Sequence, residues 1–537
     1  MLKANFITPT EAVGYIKDGM TVCPIGMTLV SASESILKAI EESFLETRHP
    51  ADITLLHSCG QSDRKDGIQH FAHEGLVKRI IGSHWGLQPR WMEMIANDKA
   101  EAYCLPQGQI AQLYRSMACG LPGKMSKVGL GTFVDPRYEG GKMNRRTKEQ
   151  PDIVEIMEYH GEEYMFYKEI PIDVCIIRGT ECDEMGNLTT TEEAMKLEVL
   201  PAVMAAKRYG GKVIAQVKRV VQTGTLNPKN VTVPGVFIDG IVVCDNPDVD
   251  HRQTSSWIYD PSYSGQTRVP QNAIEPLPMT VRKFIGRRAV EEVYPGCVVN
   301  LGTGIPNDVI GNISNEEGLS DDIMITVESG IYGGVQAGGI DFGIGQNLYA
   351  MIGHHEQMDY YNGAGVDVTF MGFGELDGEG NVNATKMGPR CTGCGGFIDI
   401  TQNAKKVVFC GTFTASGCEF SFDNNRLTII KEGKIRKMVK QVAQYSFNGI
   451  LSREKGQEVY IVTERAVFRL VEEGVELFEI APGIDLKTQV LDMMDFQPIV
   501  SENLKFMDTV LFQDGAAGLK KKVLQKAEKA AAEKLEK

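Results

Sequence analysis

Several features that define common protein classes are absent from this sequence of 537 residues. No apolar run is long enough to cross a bilayer, so we expect no membrane partner. The first ten residues lack the apolar core of a secretory signal, and the 12 cysteines are scattered without a disulfide-like framework, which favours a cytoplasmic protein. A net charge of -14 disfavours broad contact with phosphate backbones, so nucleic acid is not an expected partner.

The motifs of several enzyme classes are also missing. The sequence has no Gly-x-Ser-x-Gly elbow, no phosphate-binding Gly-Lys-Ser/Thr loop and no His-x-x-x-His pair. Cys391 and Cys394 have Cys-x-x-Cys spacing, but no second pair lies at a zinc-site distance from them. We therefore expect no metal ion and no permanently bound cofactor.

The sequence contains an internal repeat. Residues 173–188 and 367–382 share an apolar strand followed by Asp, Gly and Asn at a constant offset of 194 residues, and the same offset relates the apolar strands that begin at Lys212 and Lys406. Residues 18–26 and 295–302 are similar as well, and both predict a strand, a glycine loop and a helix. These matches predict that the chain consists of two duplicated halves.

Strands that alternate with helical segments predict an α/β fold, here two related open α/β lobes with mostly parallel sheets. We expect an N-terminal lobe at residues 1–250, a C-terminal lobe at 279–516 and, between them, a linker at 251–278 rich in Pro, Ser, Thr and Gln. Residues 517–537 are rich in lysine and predict a terminal helix or tail. In such folds, ligands bind at the carboxyl ends of the strands.

One carboxylate follows a predicted buried strand directly. Residues 323–330 read Ile-Met-Ile-Thr-Val-Glu-Ser-Gly, so the strand stops at Glu328 and Gly330. Six glycines between positions 333 and 345 predict a floor where a backbone or a ligand can approach the carboxylate closely. The triplet Glu-Ser-Gly is also typical of a solvated turn, so both a nucleophile and a turn stay open at this point.

Three further loops are candidates for binding an anion or an oxyanion. Residues 392–397, Thr-Gly-Cys-Gly-Gly-Phe, have no glycine-rich counterpart in the first half, and their N–H groups could stabilise an oxyanion or simply form a tight turn. Residues 300–306, Asn-Leu-Gly-Thr-Gly-Ile-Pro, match part of a dinucleotide-binding fingerprint that Pro306 interrupts. Residues 104–108, Cys-Leu-Pro-Gln-Gly, predict a loop tip that presents Gln107 as an amide donor.

Together these motifs resemble the family I coenzyme A transferases. The matching segments span nearly the whole chain and are residues 106–108, 300–306, 327–334, 380–383, 393–402, 407–413 and 481–485. The resemblance implies an active site between the lobes, with Glu328 as the nucleophile and Gln107 and the N–H groups around Gly395 as oxyanion donors. Because a free glutamate has a pKa of about 4.3, we expect Glu328 to be ionised at neutral pH without a base.

The resemblance also implies that coenzyme A (CoA) is a co-substrate and that the partners are acyl-CoA and short-chain carboxylates, in a homo-oligomer that is a dimer or a tetramer. The CoA-binding residues it implies are Gly302, Thr303, Gly304, Ile305, Pro306, Gly393, Cys394 and Gly396.

The substrate class follows from a difference within the motif. The enzymes for 3-oxoacids typically have Ser-Glu-Asn-Gly, whereas this chain has Val-Glu-Ser-Gly, which favours simple acids such as acetate or propionate. An acyl-CoA hydrolase or a 3-oxoacid CoA-transferase on the same fold are the alternatives. More distant alternatives are a non-catalytic CoA sensor and a nicotinamide dehydrogenase.

Overall fold

A computed structural model describes residues 3–270 and 276–535 of the chain. Residues 271–275 of the predicted linker and the last two residues of the predicted tail lie outside the described residues. No helix within these described ranges is both long enough and apolar enough to cross a membrane.

From residue 3 onward, where the description of the chain begins, the first half contains twelve strands and seven α-helices. Its strands are β1 Thr21–Pro24, β2 Ile53–Leu56, β3 Val77–Gly82, β4 Glu101–Cys104, β5 Gly123–Ser126, β6 Val154–Tyr159, β7 Glu162–Lys168, β8 Val174–Asp183, β9 Leu188–Thr189, β10 Lys212–Val221, β11 Val231–Val233 and β12 Gly240–Val243. Its helices are α1 Pro9–Val13, α2 Glu34–Thr47, α3 Pro89–Ala96, α4 Gln107–Ala118, α5 Arg145–Lys148, α6 Val199–Arg208 and α7 Pro247–Asp250.

In the described part of the second half, short strands outnumber helices. Its strands are β13 Val298–Leu301, β14 Met324–Val327, β15 Ile331–Tyr332, β16 Val335–Gln336, β17 Gly345–Gln346, β18 Ala350–Met351, β19 Val368–Gly372, β20 Glu375–Leu376, β21 Val382–Asn383, β22 Lys386–Met387, β23 Arg390–Cys391, β24 Lys406–Cys410, β25 Thr414–Ala415, β26 Glu419–Asp423, β27 Arg426–Lys431, β28 Ile435–Arg436, β29 Glu458–Val462, β30 Ala466–Val471, β31 Gly474–Ile480 and β32 Ile499–Phe506. Its helices are α8 Val281–Val290, α9 Gly311–Glu316, α10 His354–Gly363, α11 Phe397–Thr401, α12 Gly449–Glu454, α13 Leu486–Gln489 and α14 Leu519–Leu535, and a π-helical turn at Pro306–Ile310 leads into α9.

The chain also makes short 3-10 turns. They lie at Gly67–Phe71, Pro228–Asn230, Gly235–Phe237, Gly339–Asp341, Leu491–Met493 and Thr509–Phe512.

Each half is built on a parallel sheet with the same strand order. In the first half, β2, β1, β8, β10 and β12 lie side by side, and β3 and β4 extend the sheet beyond β2. In the second half, β14, β13, β19, β24 and β29 take the corresponding places. The prediction of two related open α/β lobes is confirmed.

The hydrogen bonds repeat along with the strand order. Asp173 and Asp367 each accept a hydrogen bond at 2.8 Å from the first backbone N–H of the neighbouring strand, at Thr21 and Val298 respectively. After β8, the Asp183 carboxylate accepts from the N–H and the side-chain amide of Asn187, both at 2.9 Å. The equivalent carboxylate and asparagine in the second half bond in the same way at 3.0 and 3.1 Å. The halves therefore share their turns as well as their strands.

The second sheet differs from the first at its edges. Strands β30 and β31 continue it in antiparallel pairs beyond β29, and β15 and β18 do so beyond β14. The central strands carry the core, because side chains on both faces of β8 and β24 are buried, as expected for parallel strands covered by helices.

Two segments at the predicted boundaries contact the second half. In the linker, the N–H of Val269 donates to Asn347 Oδ1 at 2.9 Å. The C-terminal helix α14 buries Leu519 and Val523, and Lys526 forms an ion pair with Glu292 at 3.0 Å. The proposed limits of the lobes at residues 250, 278 and 516 stay predictions.

Candidate active site

Glu328 lies in a tight turn that joins β14 to the antiparallel strand β15. Val327 pairs with Ile331, so the turn consists of Glu328, Ser329 and Gly330. Gly330 has a φ of +100°, and a Cβ atom there would overlap the carbonyl oxygen of Ile352. Only glycine suits both conditions, so the turn and the position of the carboxylate are fixed locally.

The glycines that follow Glu328 serve a different purpose from the predicted ligand floor. Side chains at Gly333 and Gly334 would overlap the ring of Tyr349 and the carbonyl oxygen of Gln346. These glycines allow the short hairpins β15 to β18 to pack closely against each other.

The Glu328 carboxylate is buried, and its surroundings alter its acidity. The residue is 6% exposed, and among the described residues its Oε2 atom has no hydrogen-bond partner. Burial raises the pKa of Glu328 to about 7, because the carboxylate loses its hydration. The expectation that Glu328 is ionised at neutral pH as readily as a free glutamate is wrong for the free protein, because burial favours the protonated acid.

The repeat shows that only the second half has a carboxylate at this position. Leu55 of β2 and Ile325 of β14 take the same register position beside their neighbouring strands. Three residues further along, the first half has Ser58 where the second half has Glu328. The two strand ends have therefore diverged in chemistry while keeping their fold.

The loop at 302–306 lies at the neighbouring strand end. Strands β13 and β14 are parallel with Val298 opposite Met324, a register that brings Gly302 level with Glu328 on the adjacent strand. A side chain at Gly302 would meet the Met371 sulfur at 2.5 Å. The remaining residues of this loop run from exposed to buried, in the order Thr303, Gly304, Ile305 and Pro306.

The glycine loop at 392–396 packs against the first half. The carbonyl oxygen of Thr392 accepts a hydrogen bond from the Trp85 N–H at 2.6 Å. Gly393 has a φ of +78°, and a Cβ atom there would overlap the carbonyl oxygen of Ser83. The loop thus brings the two halves together directly beside the carboxylate.

Most N–H groups of this loop already have acceptors. The Gly395 N–H donates to the Ser83 carbonyl oxygen at 2.8 Å, and the Cys394 N–H donates to the Cys104 sulfur at 3.4 Å. Within residues 3–270 and 276–535, no backbone carbonyl accepts from the Gly396 N–H. A Cβ atom at Gly396 would lie 3.6 Å from Cγ of Glu328. Gly396 is therefore better placed than Gly395 to donate to a group bound at Glu328.

Gln107 reaches the same place from the first half. It is the first residue of α4 and is 3% exposed, so it does not lie at a loop tip as the sequence suggested. Its N–H donates to the Gly395 carbonyl oxygen at 2.9 Å, and the next N–H, of Gly108, donates to the buried Asp399 at 2.9 Å. A Cβ atom at Gly395 would lie 3.4 Å from Oε1 of Gln107.

Sequence reasoning missed three buried polar groups beside Gln107. His354 Nδ1 lies 2.7 Å from Glu198 Oε2, and His354 Nε2 lies 3.0 Å from Gln107 Nε2. The Cys59 sulfur accepts from Gln107 Nε2 at 3.3 Å. These residues come from distant parts of both halves and form no spaced motif, so the sequence carried no signal for their meeting.

Ligand-capable atoms of Cys59, Glu198 and His354 lie within 4.8 Å of one another. The same atoms satisfy each other through hydrogen bonds, so the cluster needs no ion to account for its geometry.

The assembled groups suit acyl chemistry. A buried carboxylate whose Oε2 atom has no hydrogen-bond partner among the described residues can act as a nucleophile, and an N–H and an amide close to it can stabilise a tetrahedral oxyanion.

Comparisons with known proteins agree with this chemistry. Residues 6–244 match the coenzyme A transferase family. A caffeate CoA-transferase of Acetobacterium woodii is 43% identical over 522 residues, which cover 96% of this chain and 99% of that protein. The acetate CoA-transferase YdiF of Escherichia coli (strain K12) is 40% identical over 514 residues, which cover 95% of this chain and 96% of YdiF.

Solved structures give the same result for the fold. The apoenzyme of acyl-CoA transferase YdiF from Escherichia coli O157:H7 superimposes with a TM-score of 0.91 at 38% identity and covers 96% of this chain and 97% of its own. A second structure of that protein, described as its thioester complex with CoA, matches equally well. This chain belongs to the coenzyme A transferase family.

Proposed function

We propose that this CoA-transferase moves CoA reversibly between a short-chain acyl-CoA and a free acid such as acetate or propionate. The proposed course is ping-pong, through a thioester between Glu328 and CoA. The observation that carries the proposal is the buried Glu328 carboxylate with an unpaired oxygen, at a strand end where the two halves meet.

Only the Glu328 carboxylate and the two substrates form or break covalent bonds in the proposed reaction. One oxygen of Glu328 bonds to the thioester carbon of the acyl-CoA, and the C–S bond breaks to give CoA thiolate and an acyl-glutamyl anhydride. The thiolate sulfur then bonds to the glutamyl carbonyl carbon, and the anhydride C–O bond breaks to release the first acid as a carboxylate. An incoming carboxylate reverses both steps and leaves as the new acyl-CoA.

Each step passes through a tetrahedral oxyanion that requires donors. We assign this role to the side-chain amide of Gln107 and to an N–H of the loop at 393–396, with Gly396 favoured by its free N–H and its closeness to Glu328. Gly395 remains a predicted donor that would first have to give up its bond to Ser83. Loss of one such donor typically costs roughly 2.7–4 kcal/mol in the transition state.

The CoA arm is proposed to run along the glycine loops beside Glu328. Gly302 supports this path because parallel register brings it level with Glu328. Thr303, Gly304, Ile305 and Pro306 would continue the path on one side, and Gly393, Cys394 and Gly396 would border it on the other. Binding energy from the long, non-reacting part of CoA can then be realised at the reacting carbon.

The identity of the acid has two candidates. The resemblance to the acetate CoA-transferase YdiF, at 40% identity, supports a short aliphatic acid. The caffeate CoA-transferase, at 43% identity, supports an aromatic acid as the second candidate. An acyl-CoA hydrolase and a 3-oxoacid CoA-transferase are the remaining alternatives.

The nucleophile is tested by intact mass after brief incubation with acetyl-CoA and then borohydride. We expect a CoA adduct on the native chain, reduction of that adduct at Glu328, and neither in Glu328→Ala. Transfer by Glu328→Ala, or no adduct on the native chain, would refute the assignment.

The acceptor is tested by product analysis with acetate, propionate, caffeate, a 3-oxoacid or no acid. Release of free CoA at an equal rate without any acid would identify a hydrolase instead. A homo-oligomer, as a dimer or tetramer, and a cytoplasmic location complete the proposal, and light scattering measures the first.

A further inference from the structure

A chain of buried polar groups leads to the amide of Gln107 from both halves of the protein. Glu198 immediately precedes α6 in the first half and is 1% exposed, and His354 begins α10 in the second half and is fully buried. One Glu198 oxygen accepts from the Ser58 hydroxyl, and the other lies 2.7 Å from His354 Nδ1. The second ring nitrogen, His354 Nε2, faces the Gln107 amide at 3.0 Å.

The amide of Gln107 can occupy its space in two orientations with opposite effects on an oxyanion. If His354 is neutral with its proton on Nδ1, then Nε2 is an acceptor and takes a hydrogen bond from the Gln107 NH2 group. The amide oxygen then points toward Gly395, as its 3.4 Å distance from a Cβ atom there shows. An oxygen in that place would repel an oxyanion.

If His354 carries both ring protons, the requirement reverses. Its Nε2–H is then a donor and needs the oxygen of Gln107 as its acceptor. The amide turns over, so the NH2 group gives up its contact with the Cys59 sulfur and faces Gly395 and the neighbouring Gly396. Since Gly396 lies against Glu328, the NH2 group would point to the place where the oxyanion forms. The protonation state of His354 thus decides whether the NH2 group or the oxygen of the Gln107 amide faces the oxyanion.

The charges around His354 favour the doubly protonated ring. Burial by itself lowers the pKa of His354, but the adjacent Cys59 and Glu198 raise that pKa well above its usual value. Burial also raises the pKa of the Cys59 thiol, so Glu198, 2.7 Å from His354 Nδ1, supplies the negative charge near neutral pH. Burial alone would raise the pKa of Glu198, but the charge of His354 and hydrogen bonds from His354 and Ser58 hold that pKa below its usual value.

We propose that Glu198 and His354 are positioning residues that hold the Gln107 amide with its NH2 group toward the oxyanion formed at Glu328. The proposal rests on the proposed function, because it assumes that the acyl transfer takes place on Glu328. It assigns a role in the reaction to two residues that touch neither substrate.

Two substitutions of His354 distinguish the contact of its Nδ1 atom with Glu198 from the contact of its Nε2 atom with Gln107. In His354→Gln, the longer amide reaches the place of Nε2 and can still donate to Gln107. In His354→Asn, the shorter amide reaches only the place of Nδ1 and keeps the contact with Glu198. Both variants are uncharged and of similar polarity, so they serve as controls for each other.

We expect His354→Asn to lower kcat by roughly 100-fold to 1,000-fold, the usual effect of losing one oxyanion donor, with the KM for acyl-CoA within about threefold of native. We expect His354→Gln to keep kcat within about tenfold of native. Gln107→Ala should match His354→Asn, and adding His354→Asn to Gln107→Ala should have no further effect, because His354 acts only through that amide.

Three results would overturn the proposal. The first is equal loss in His354→Gln and His354→Asn, the second is additive loss in the double variant, and the third is a change in KM with kcat unaffected. Thermal unfolding of each variant shows whether it is folded. If His354→Asn does not fold, Glu198→Gln replaces it, because this isosteric change removes the charge that keeps His354 protonated, and the same loss in kcat is expected.

The mass assay separates this proposal from the function on which it rests. If the native chain forms no adduct on Glu328, the proposed function fails. If the native chain forms the adduct and His354→Asn forms it at the native rate, only the positioning role fails. We expect the adduct in both, and we expect its formation to be slower in His354→Asn by the same factor as kcat.

Discussion

Replacement of Glu328 by glutamine should make the folded protein more stable at alkaline pH relative to the native chain. Glutamine has nearly the same shape but never ionises, so the variant removes the cost of a buried negative charge. Glu328 is 6% exposed, and burial raises its pKa from 4.5 to about 7. The stability that the protonated acid provides is fully present below pH 4.5 and is lost as the pH rises through about 7.

The size of the effect follows from the two pKa values. Full ionisation of Glu328 in the folded state costs about 3 kcal/mol relative to the unfolded chain, and the cost at pH 5.5 is roughly 1 kcal/mol. Between pH 5.5 and pH 8, the advantage of Glu328→Gln over the native chain should therefore grow by about 2 kcal/mol. Titrating groups that do not interact with Glu328 are common to both proteins and cancel in the comparison.

Thermal unfolding of both proteins at the two pH values measures this difference. A unit of 150–250 residues shifts its Tm by roughly 2–4 °C per kcal/mol, so the Tm advantage of the variant should increase by about 4–8 °C if the second half unfolds on its own. Glu473→Gln is the matched control, because Glu473 is an exposed glutamate of the same half and its replacement should show no such trend. An equal Tm difference at pH 5.5 and pH 8 would refute the assignment of a raised pKa to Glu328.

Further predictions concern activity and the glycine loop. The kcat/KM for acyl-CoA should rise with pH and level off above about 7, because free Glu328 must be ionised to attack, and a flat profile from pH 5.5 to 8.5 would contradict this. Gly393→Ala should lower the Tm by several degrees, since its Cβ atom would overlap Ser83, and equal stability would contradict the packing. Gly396→Ala should lower the Tm less than Gly393→Ala, because its φ is -81° and the tight contacts of its Cβ atom, at 3.2 Å, are with the ends of the Ile400 and Met358 side chains, which can shift. It should nevertheless lose activity through crowding at Glu328, as an initial-rate assay would show.

The repeat allowed much of the fold to be predicted. Positions that match in the repeat take the same place in the two sheets. Lys212 pairs with Val174 of the neighbouring strand, and Lys406 pairs in the same way with Val368. The turn that holds Glu328 could be predicted for a similar reason, because the strand end, the acid and the glycine are contiguous in sequence. The role of Glu328 as the nucleophile came instead from the resemblance to the family.

Other parts of the site depend on contacts between the halves, which local patterns do not encode. From the sequence, the N–H groups of residues 393–396 were expected to be available as donors to a ligand. The structure shows that the Gly395 N–H instead donates to the Ser83 carbonyl oxygen of the other half. Likewise, the acidity expected of Glu328 was that of a free side chain, because its burial depends on tertiary packing that the sequence does not show. His354 forms no motif with its neighbours in sequence, so nothing in the sequence predicts its contacts with Glu198 and Gln107.

The equivalent strand ends of the two halves carry different polar groups. At the end of β14 the second half has the acid, and at the equivalent end of β2 the first half has Ser58, whose hydroxyl bonds Glu198. Glu198 holds His354 of the second half, and His354 contacts Gln107 of the first. The path from Ser58 to Gln107 thus crosses between the halves twice. If Glu328 is the nucleophile, as proposed, neither half alone would hold the amide in place, and the duplicated fold would require both copies for activity.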